Sequence, residues 1–356
     1  MVSSFASDPL IRFALWAAAA MLLLAAAMTL DIAWLRLRIA VRSRREARFL
    51  ARWRPVLLEA VDAVPEQMLR IRRRNWLTFL ALWNSFHESL RGAARHRLNA
   101  VALRLRMDVA AREILGRGEP RDQIMAAVTL GHLGDVESWG ALERLARSDH
   151  SSLSLAAARA LVLIDPSRAI ELLIPQLSSR ADWPLARVKA ILRETEAASV
   201  SQPLVSAMDL TPPDDLPRLI TLMDCATAAV VTPELRRLLE SSSDEEVLVA
   251  CLKSDHVARD RTLLANLARH RSWQVRTQAA RVLGQIASRG DEKLLTSMLS
   301  DPVWWVRYRA AQALAALPFL SQDDLWRLRF LVTDKFAQNM LDQVVAERRA
   351  TEPGDA

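Results

Sequence analysis

Apolar residues recur at helical spacing in the C-terminal third of the chain, and the same pattern occurs twice. The segment AARVLG (279–284) stands one period before AAQALA (310–315), and that period is 310 − 279 = 31 positions. In the second copy the apolar positions are i, i+4, i+7, i+8 and i+11, which is the buried face of an amphipathic helix. They are Val306, Ala310, Ala313, Leu314 and Leu317. The first copy repeats that face, and a shorter apolar helix is predicted between the two, at 294–299.

The same repeat extends toward the N-terminus. One position of the second helix recurs at Ala126, Ala157, Val188, Leu219, Ala250, Ala279 and Ala310. One position of the first helix recurs at Leu142, Leu173, Leu204, Leu235, Leu264 and Leu295. Every step equals the same period except one in each series, which is shorter by two positions and indicates a deletion between Ala250 and Leu264. Two such helices cannot bury their apolar faces alone, so about seven units are expected to stack.

The last unit carries the residues of a known repeat family. Asp301 and Arg307, within DPVWWVRYRAAQAL (301–314), match a turn aspartate and an arginine at the start of the second helix. The stretch 121–330 resembles short HEAT-like repeats, the kind also seen in phycobilisome-lyase relatives. The resemblance implies an all-α, right-handed α-α superhelix that serves as a binding surface. Prolines crowd the middle units, so those units are expected to be distorted.

An apolar stretch near the N-terminus is long enough to cross a membrane. After a short segment, 1–12, residues 13–30 carry no charge, and 32–35 extend the run past Asp31. We predict a transmembrane helix at 13–35. A cleaved signal peptide is the alternative, with Ala25–Ala27 as its cleavage site, although Arg12 is the only basic residue before the run. Arginines crowd the C-terminal side, which predicts a single pass through a bacterial inner membrane, with the N-terminus outside and the repeats in the cytoplasm.

The basic charge of the chain is concentrated in a juxtamembrane region, predicted to be helical over 36–120. The stretch 31–121 holds 20 arginines and 9 acids, a net charge of +11. Before it, Asp8 and Arg12 cancel, so the rest of the chain carries 7 − 11 = −4 of the total of +7. The repeats are therefore mildly acidic, which argues against a nucleic-acid groove on them.

A second apolar run, NWLTFLALWNSF (75–86), follows a cluster of arginines. It is too short to span a membrane, but its aromatic residues share one helical face. This helix is expected either to cap the repeat array or to lie on the membrane surface. The candidate membrane-surface residues are Arg72, Arg73, Arg74, Trp76, Phe79 and Trp83. WNSFHESLRG (83–92) and TLGHLGD (129–135) resemble stretches of bacterial membrane-anchored HEAT-like proteins, which implies a partner in envelope polysaccharide synthesis, such as a membrane glycosyltransferase.

The chain carries none of the usual catalytic motifs. Its six histidines are scattered, without a metal-binding HExxH motif, and there is no CxxC, no GxSxG and no phosphate-binding glycine loop. We therefore expect no metal, no cofactor and no enzymatic activity. Cys225 and Cys251 lie on apolar helix faces and are expected to be core residues.

Three functions are compatible with this sequence. The first is a membrane-tethered scaffold for a protein partner, the second a nucleic-acid-binding HEAT-like protein, and the third a lyase-like HEAT enzyme. Arginine and tryptophan often anchor protein interfaces, which favours the last regular units as the docking surface. The candidate partner-binding residues are Arg276, Gln278, Trp304, Trp305, Arg307 and Arg309. A terminal cap helix is predicted at 331–349 and a disordered tail at 350–356.

Overall fold

A computed structural model describes residues 9–65, 68 and 70–351. Most of the predicted N-terminal segment, and the predicted tail beyond Thr351, lie outside these residues. The chain divides into two compact units, Met1–Ala141 and Leu142–Ala356. The division falls later in the chain than Arg121, where the repeats are expected to start.

The described residues form α-helices joined by short turns and contain no β-strand. Helices α1 to α6 are Pro9–Asp62, Trp76–Ser89, Ala93–Arg104, Met107–Arg117, Pro120–Leu133 and Trp139–Ala146. Helices α7 to α13 are Ser151–Ile164, Pro166–Ser179, Leu185–Leu192, Ala197–Met208, Leu216–Leu222, Ala228–Ser241 and Glu245–Lys253. Helices α14 to α19 are Arg261–Leu267, Trp273–Ile286, Glu292–Met298, Trp304–Ala316, Gln322–Leu331 and Lys335–Thr351. The all-α fold predicted from the periodicity is confirmed.

In the first unit, α1 is one helix of 54 residues that continues from the predicted span through the arginine-rich segment. It is apolar and long enough to cross a membrane, and its apolar window is not buried inside the protein. Its last turns are different, because Trp53, Leu57 and Ala60 are buried. Trp53 meets Phe79 of α2 edge to face, with ring centroids 5.2 Å apart.

Helix α2 forms the core of the first unit. Trp83 is fully buried, and its indole nitrogen donates a hydrogen bond of 3.0 Å to the carbonyl of Leu98 in α3. On α5, the Thr129 hydroxyl donates to the Asn84 side chain of α2 at 3.1 Å. These two hydrogen bonds join α2 to α3 and to α5. A buried donor without an acceptor would cost stability, so the bonds also favour this arrangement of the three helices.

In the second unit, successive helices pack on their neighbours, and the repeat positions of the first helices occupy the core. The residues of that leucine series are at most 1% exposed: Leu142, Leu173, Leu204, Leu235, Leu264 and Leu295. The second series is also buried except at Ala250, which is only half-buried, while the next residue, Cys251, is fully buried. The helix starts explain this difference. Asp244, the N-cap of α13, lies one position later than the repeat counterpart of Ser272, the N-cap of α15.

The two cysteines of the second unit are free and buried, as predicted. Burial raises the pKa of the Cys251 thiol to about 12, so this thiol stays protonated and unreactive. The last regular pair, α15 and α17, pack closely where Gly284 faces Ala313. Helix α19 then covers α17 and buries Ala337, Leu341 and Val344.

Candidate interaction surfaces

An exposed aromatic cluster begins the last regular helix of the second unit, α17. Trp304 and Trp305 are 38% and 55% exposed, and their rings meet edge to face with centroids 4.7 Å apart. Trp304 also stacks on Tyr308, one turn later, with centroids 5.0 Å apart. The structure therefore brings the two predicted tryptophans together and adds a tyrosine that sequence reasoning missed.

Tyr308 connects this cluster to α19. Its hydroxyl donates a hydrogen bond of 3.0 Å to the Glu347 carboxylate. Burial, and after it this bond to the carboxylate, raises the pKa of Tyr308, which keeps the phenol protonated as a donor. The aromatic cluster is thus held in a defined orientation against the following helix.

Arg307 borders the same cluster. Its guanidinium donates to the carbonyls of Asp301 and Pro302 at 2.8 and 3.1 Å. The guanidinium carbon lies 5.4 Å from the ring centroid of Phe336, at the start of α19. Phe336 itself is largely exposed. The arginine and this ring extend the exposed aromatic surface from α17 toward α19.

Arg276 is the repeat counterpart of Arg307, but the structure gives it an internal role. Its guanidinium binds the Asp301 carboxylate with two hydrogen bonds of 2.7 and 2.9 Å. Both side chains are largely buried, with 14% and 10% of their surfaces exposed. A third contact joins the guanidinium to the carbonyl of His270 at 2.9 Å. The charge of Arg276 is therefore neutralised within the repeat, and we leave this residue out of the docking surface proposed below.

The other two candidates, Gln278 and Arg309, belong to a polar array on α15 and α17. Arg281 donates to the Gln278 side chain at 3.0 Å and to the carbonyl of Leu252. Burial, followed by the positive charge of Arg309, lowers the pKa of Arg281. The buried Nε of Arg309 and the buried side-chain oxygen of Gln312 make no hydrogen bond within the described residues.

Sequence reasoning missed Arg281 and Gln312, although the repeat contains a signal for them. They stand one repeat period apart, as do Gln278 and Arg309, and each lies three positions after a nominated residue. Side chains at i and i+3 on a helix are neighbours on its surface. Applying this spacing to Gln278 and Arg309 would have identified all four members of the array.

In the first unit, the candidate membrane-surface residues separate into two groups. Arg72, Arg73 and Arg74 are exposed, and Trp76 is half-buried beneath Arg73, whose guanidinium carbon lies 5.6 Å from the indole centroid. Phe79 and Trp83 are fully buried. Of the two alternatives for this helix, the burial of Phe79 and Trp83 favours packing within the protein, because these side chains fill the core between α1, α2 and α3.

Within the described residues, no group of three or more metal-ligating side chains comes together. His87 and His132 stack with ring centroids 4.1 Å apart beside Trp83. His87 is buried and His132 is half-buried, and both rings pack within the first unit. We identify no nucleophilic side chain with an adjacent base in this stacked histidine pair.

Comparison with known proteins identifies the repeat. Residues 261–340 match the family model described as HEAT repeats. No curated protein matches the chain significantly. A crystal structure of an engineered protein aligns over 81% of this chain and 86% of its own, at 16% identity and a TM-score of 0.34. A TM-score this low carries no argument for the fold. Over residues 261–340, the helical repeats of this chain are therefore similar to HEAT repeats.

Proposed function

We propose that this protein is a membrane-tethered HEAT-repeat scaffold that docks a protein partner at the cytoplasmic face of a bacterial inner membrane. The observation that carries the proposal is the exposed cluster of Trp304, Trp305 and Tyr308, bordered by Arg307. Exposed aromatic residues that already stack on one another lose little side-chain entropy when a partner covers them. Tryptophan, tyrosine and arginine are also the residues that most often dominate interface energies.

The neighbouring polar array adds chemical selectivity to this surface. Arg281 and Arg309 place two positive charges near each other, and no carboxylate forms a salt bridge with either within the described residues. A carboxylate from a partner would relieve the repulsion between these two guanidinium groups. The expected partner therefore presents an apolar residue to Trp305 and an acidic residue to Arg309.

The tether explains why such a surface can act at modest affinity. Helix α1 carries an apolar segment long enough to span a bilayer, followed by arginines that favour retention on the cytoplasmic side. Confining both proteins to one membrane raises their effective concentration, so a weak contact suffices. A membrane-associated partner fits this arrangement, and the family resemblance suggests an envelope polysaccharide glycosyltransferase.

The experiment compares a docking variant with a matched control in the full-length, membrane-bound protein. The docking variant is Trp305→Ala with Arg309→Glu. The control is Gln274→Ala with Arg271→Glu, because Gln274 is the repeat counterpart of Trp305 and Arg271 is an exposed arginine of the preceding turn. Co-purifying membrane proteins are quantified by mass spectrometry, and folding is followed by circular dichroism.

We expect the docking variant to lose one or a few specific co-purifying proteins at least 10-fold, with the helix signal unchanged. The control should retain them. Equal retention by both variants would place the contact elsewhere on the repeats and would contradict the proposal.

A further inference from the structure

A groove of about 890 Å³ lies in the first unit, between the part of α1 around the end of the predicted span and the start of α2. On α1, Trp34, Arg38, Val41, Arg45 and Arg48 line it at successive spacings of four, three, four and three positions. This spacing forms one stripe along a helix. Beyond this stripe, the same helix packs on α2 through Trp53.

The wall of this groove changes in polarity along its length. Toward the predicted span, Trp34 and Leu37 are 53% and 63% exposed, and the Arg38 guanidinium lies 3.6 Å from the Trp34 ring centroid. Away from the span, the lining becomes basic, with Arg45 and Arg48. Exposed apolar side chains beside a stacked tryptophan and arginine are typical of a membrane interface.

The basic end has an excess of unpaired positive charge. Arg45 and Arg48 of α1 and Arg74 of the turn before α2 line it, and Glu46 is the one acidic residue in the lining. In the part of the chain that the structure describes, no carboxylate pairs with any of these three arginines. Three guanidinium groups around one groove favour an anionic oxygen cluster such as a phosphate.

We propose that this groove binds one anionic phospholipid, with its phosphate among Arg45, Arg48 and Arg74 and an acyl chain along Trp34 and Leu37. The proposal rests on the membrane tether of the proposed function. The polarity of the groove runs in the same direction as a lipid whose chain points back into the bilayer. A free phosphate would leave the apolar wall exposed, and a neutral lipid would leave the arginine charge unmatched. Charge complementarity therefore selects an acidic headgroup.

The test uses the full-length protein in a neutral detergent and native mass spectrometry. Phosphatidylglycerol, phosphatidylcholine and soluble glycerol phosphate are titrated separately. The groove variant is Arg45→Gln with Arg74→Gln, and the control is Arg52→Gln with Arg54→Gln, two exposed arginines of α1 outside the groove. All four side chains are exposed, so both variants are expected to fold, and circular dichroism verifies this.

We expect phosphatidylglycerol to bind the wild-type protein and its control at least 10-fold more tightly than phosphatidylcholine. Removing two groove arginines should weaken binding roughly 30-fold, from about 1 kcal/mol for each basic residue near an anionic surface. Equal binding of the two lipids by the wild-type protein would overturn the proposal, and this comparison needs no variant. Competition by glycerol phosphate would reduce the site to a simple anion site, and equal loss in the control would assign binding to the overall basic charge.

This outcome is separate from the docking experiment. Lipid binding can fail while Trp305 and Arg309 still retain a partner, which would contradict the groove alone. Loss of the partner on changing Trp305 with the lipid still bound would support both proposals.

Discussion

Helices α15 and α17 begin one repeat period apart and carry the same arginine in their first turn. Comparing them distinguishes residues that stabilise the repeat from residues that are free to contribute to a surface. Arg276 and Arg307 each donate to the backbone carbonyls of the preceding turn. Arg276 then binds Asp301, which the following unit supplies. In the described residues, α18 and α19 follow α17, and the Arg307 guanidinium faces the exposed ring of Phe336 on α19 instead of a carboxylate. The same residue stabilises the repeat inside the array and contributes to an open surface at its end.

The residues beside these two arginines also differ between the internal copy and the last copy of the repeat. Trp273 and Trp304 are both 38% exposed. Gln274 and Thr277 of α15, however, correspond to Trp305 and Tyr308 of α17. The last copy has aromatic side chains where the internal copy has polar ones. Features shared by both copies therefore mark the repeat, and features confined to the last copy mark the proposed interface.

The largest expected loss of stability comes from removing Asp301, the carboxylate that pairs with Arg276 but not with Arg307. Asp301→Ala leaves Arg276 without a carboxylate and also removes the acceptor for the backbone nitrogen of Val303. Breaking a largely buried ion pair should lower the free energy of unfolding by about 3 kcal/mol. Urea denaturation of the full-length protein in detergent, followed by circular dichroism, measures this change.

Arg307→Ala is the matched comparison. Its guanidinium has no carboxylate partner in the described structure, so its loss should cost only about 1 kcal/mol. Equal costs for the two variants would contradict the assignment of different roles to the two arginines.

The next effect concerns the contact between the two helices. A Cβ added at Gly284 would lie 2.7 Å from the Cβ of Ala313, so Gly284→Ala should force α15 and α17 apart and cost about 2 kcal/mol. Gly140→Ala is the control, because an added Cβ there meets nothing within 4 Å. It should be neutral or stabilising, since alanine favours helix more than glycine does. The same denaturation experiment decides, and a neutral Gly284→Ala would mean that the helices are less closely packed.

The smallest effect is expected at the tyrosine that stands where the internal copy has threonine. Tyr308→Phe removes the hydrogen bond to Glu347 and should cost about 0.5 kcal/mol. The ring that stacks on Trp304 is retained, so docking should weaken much less than it does in Trp305→Ala. Parallel stability and co-purification measurements test this. A loss of the partner as large as that of Trp305→Ala would show that the hydroxyl, rather than the ring, makes the contact.

Periodicity predicted the fold because each repeat position must enter the core once in every unit. The buried leucine series shows this most directly. The prediction was wrong by one position at Ala250, since a helix start depends on the local cap, here Asp244, which periodicity does not register. For a related reason, the sequence did not reveal that Arg276 pairs with Asp301 or that Phe79 is buried. Amphipathic patterns show which face is apolar, but not which neighbour covers it or which carboxylate a second unit supplies.

The most direct test of the central claim is photo-crosslinking in intact cells. A photoreactive phenylalanine derivative replaces Trp305 in one variant and its repeat counterpart Gln274 in the other. If the last copy forms the docking surface, position 305 should yield a discrete crosslink to a membrane-associated protein, and position 274 should yield much less of it. A crosslink of equal yield from both positions, or none from 305 while the partner still co-purifies, would contradict the account.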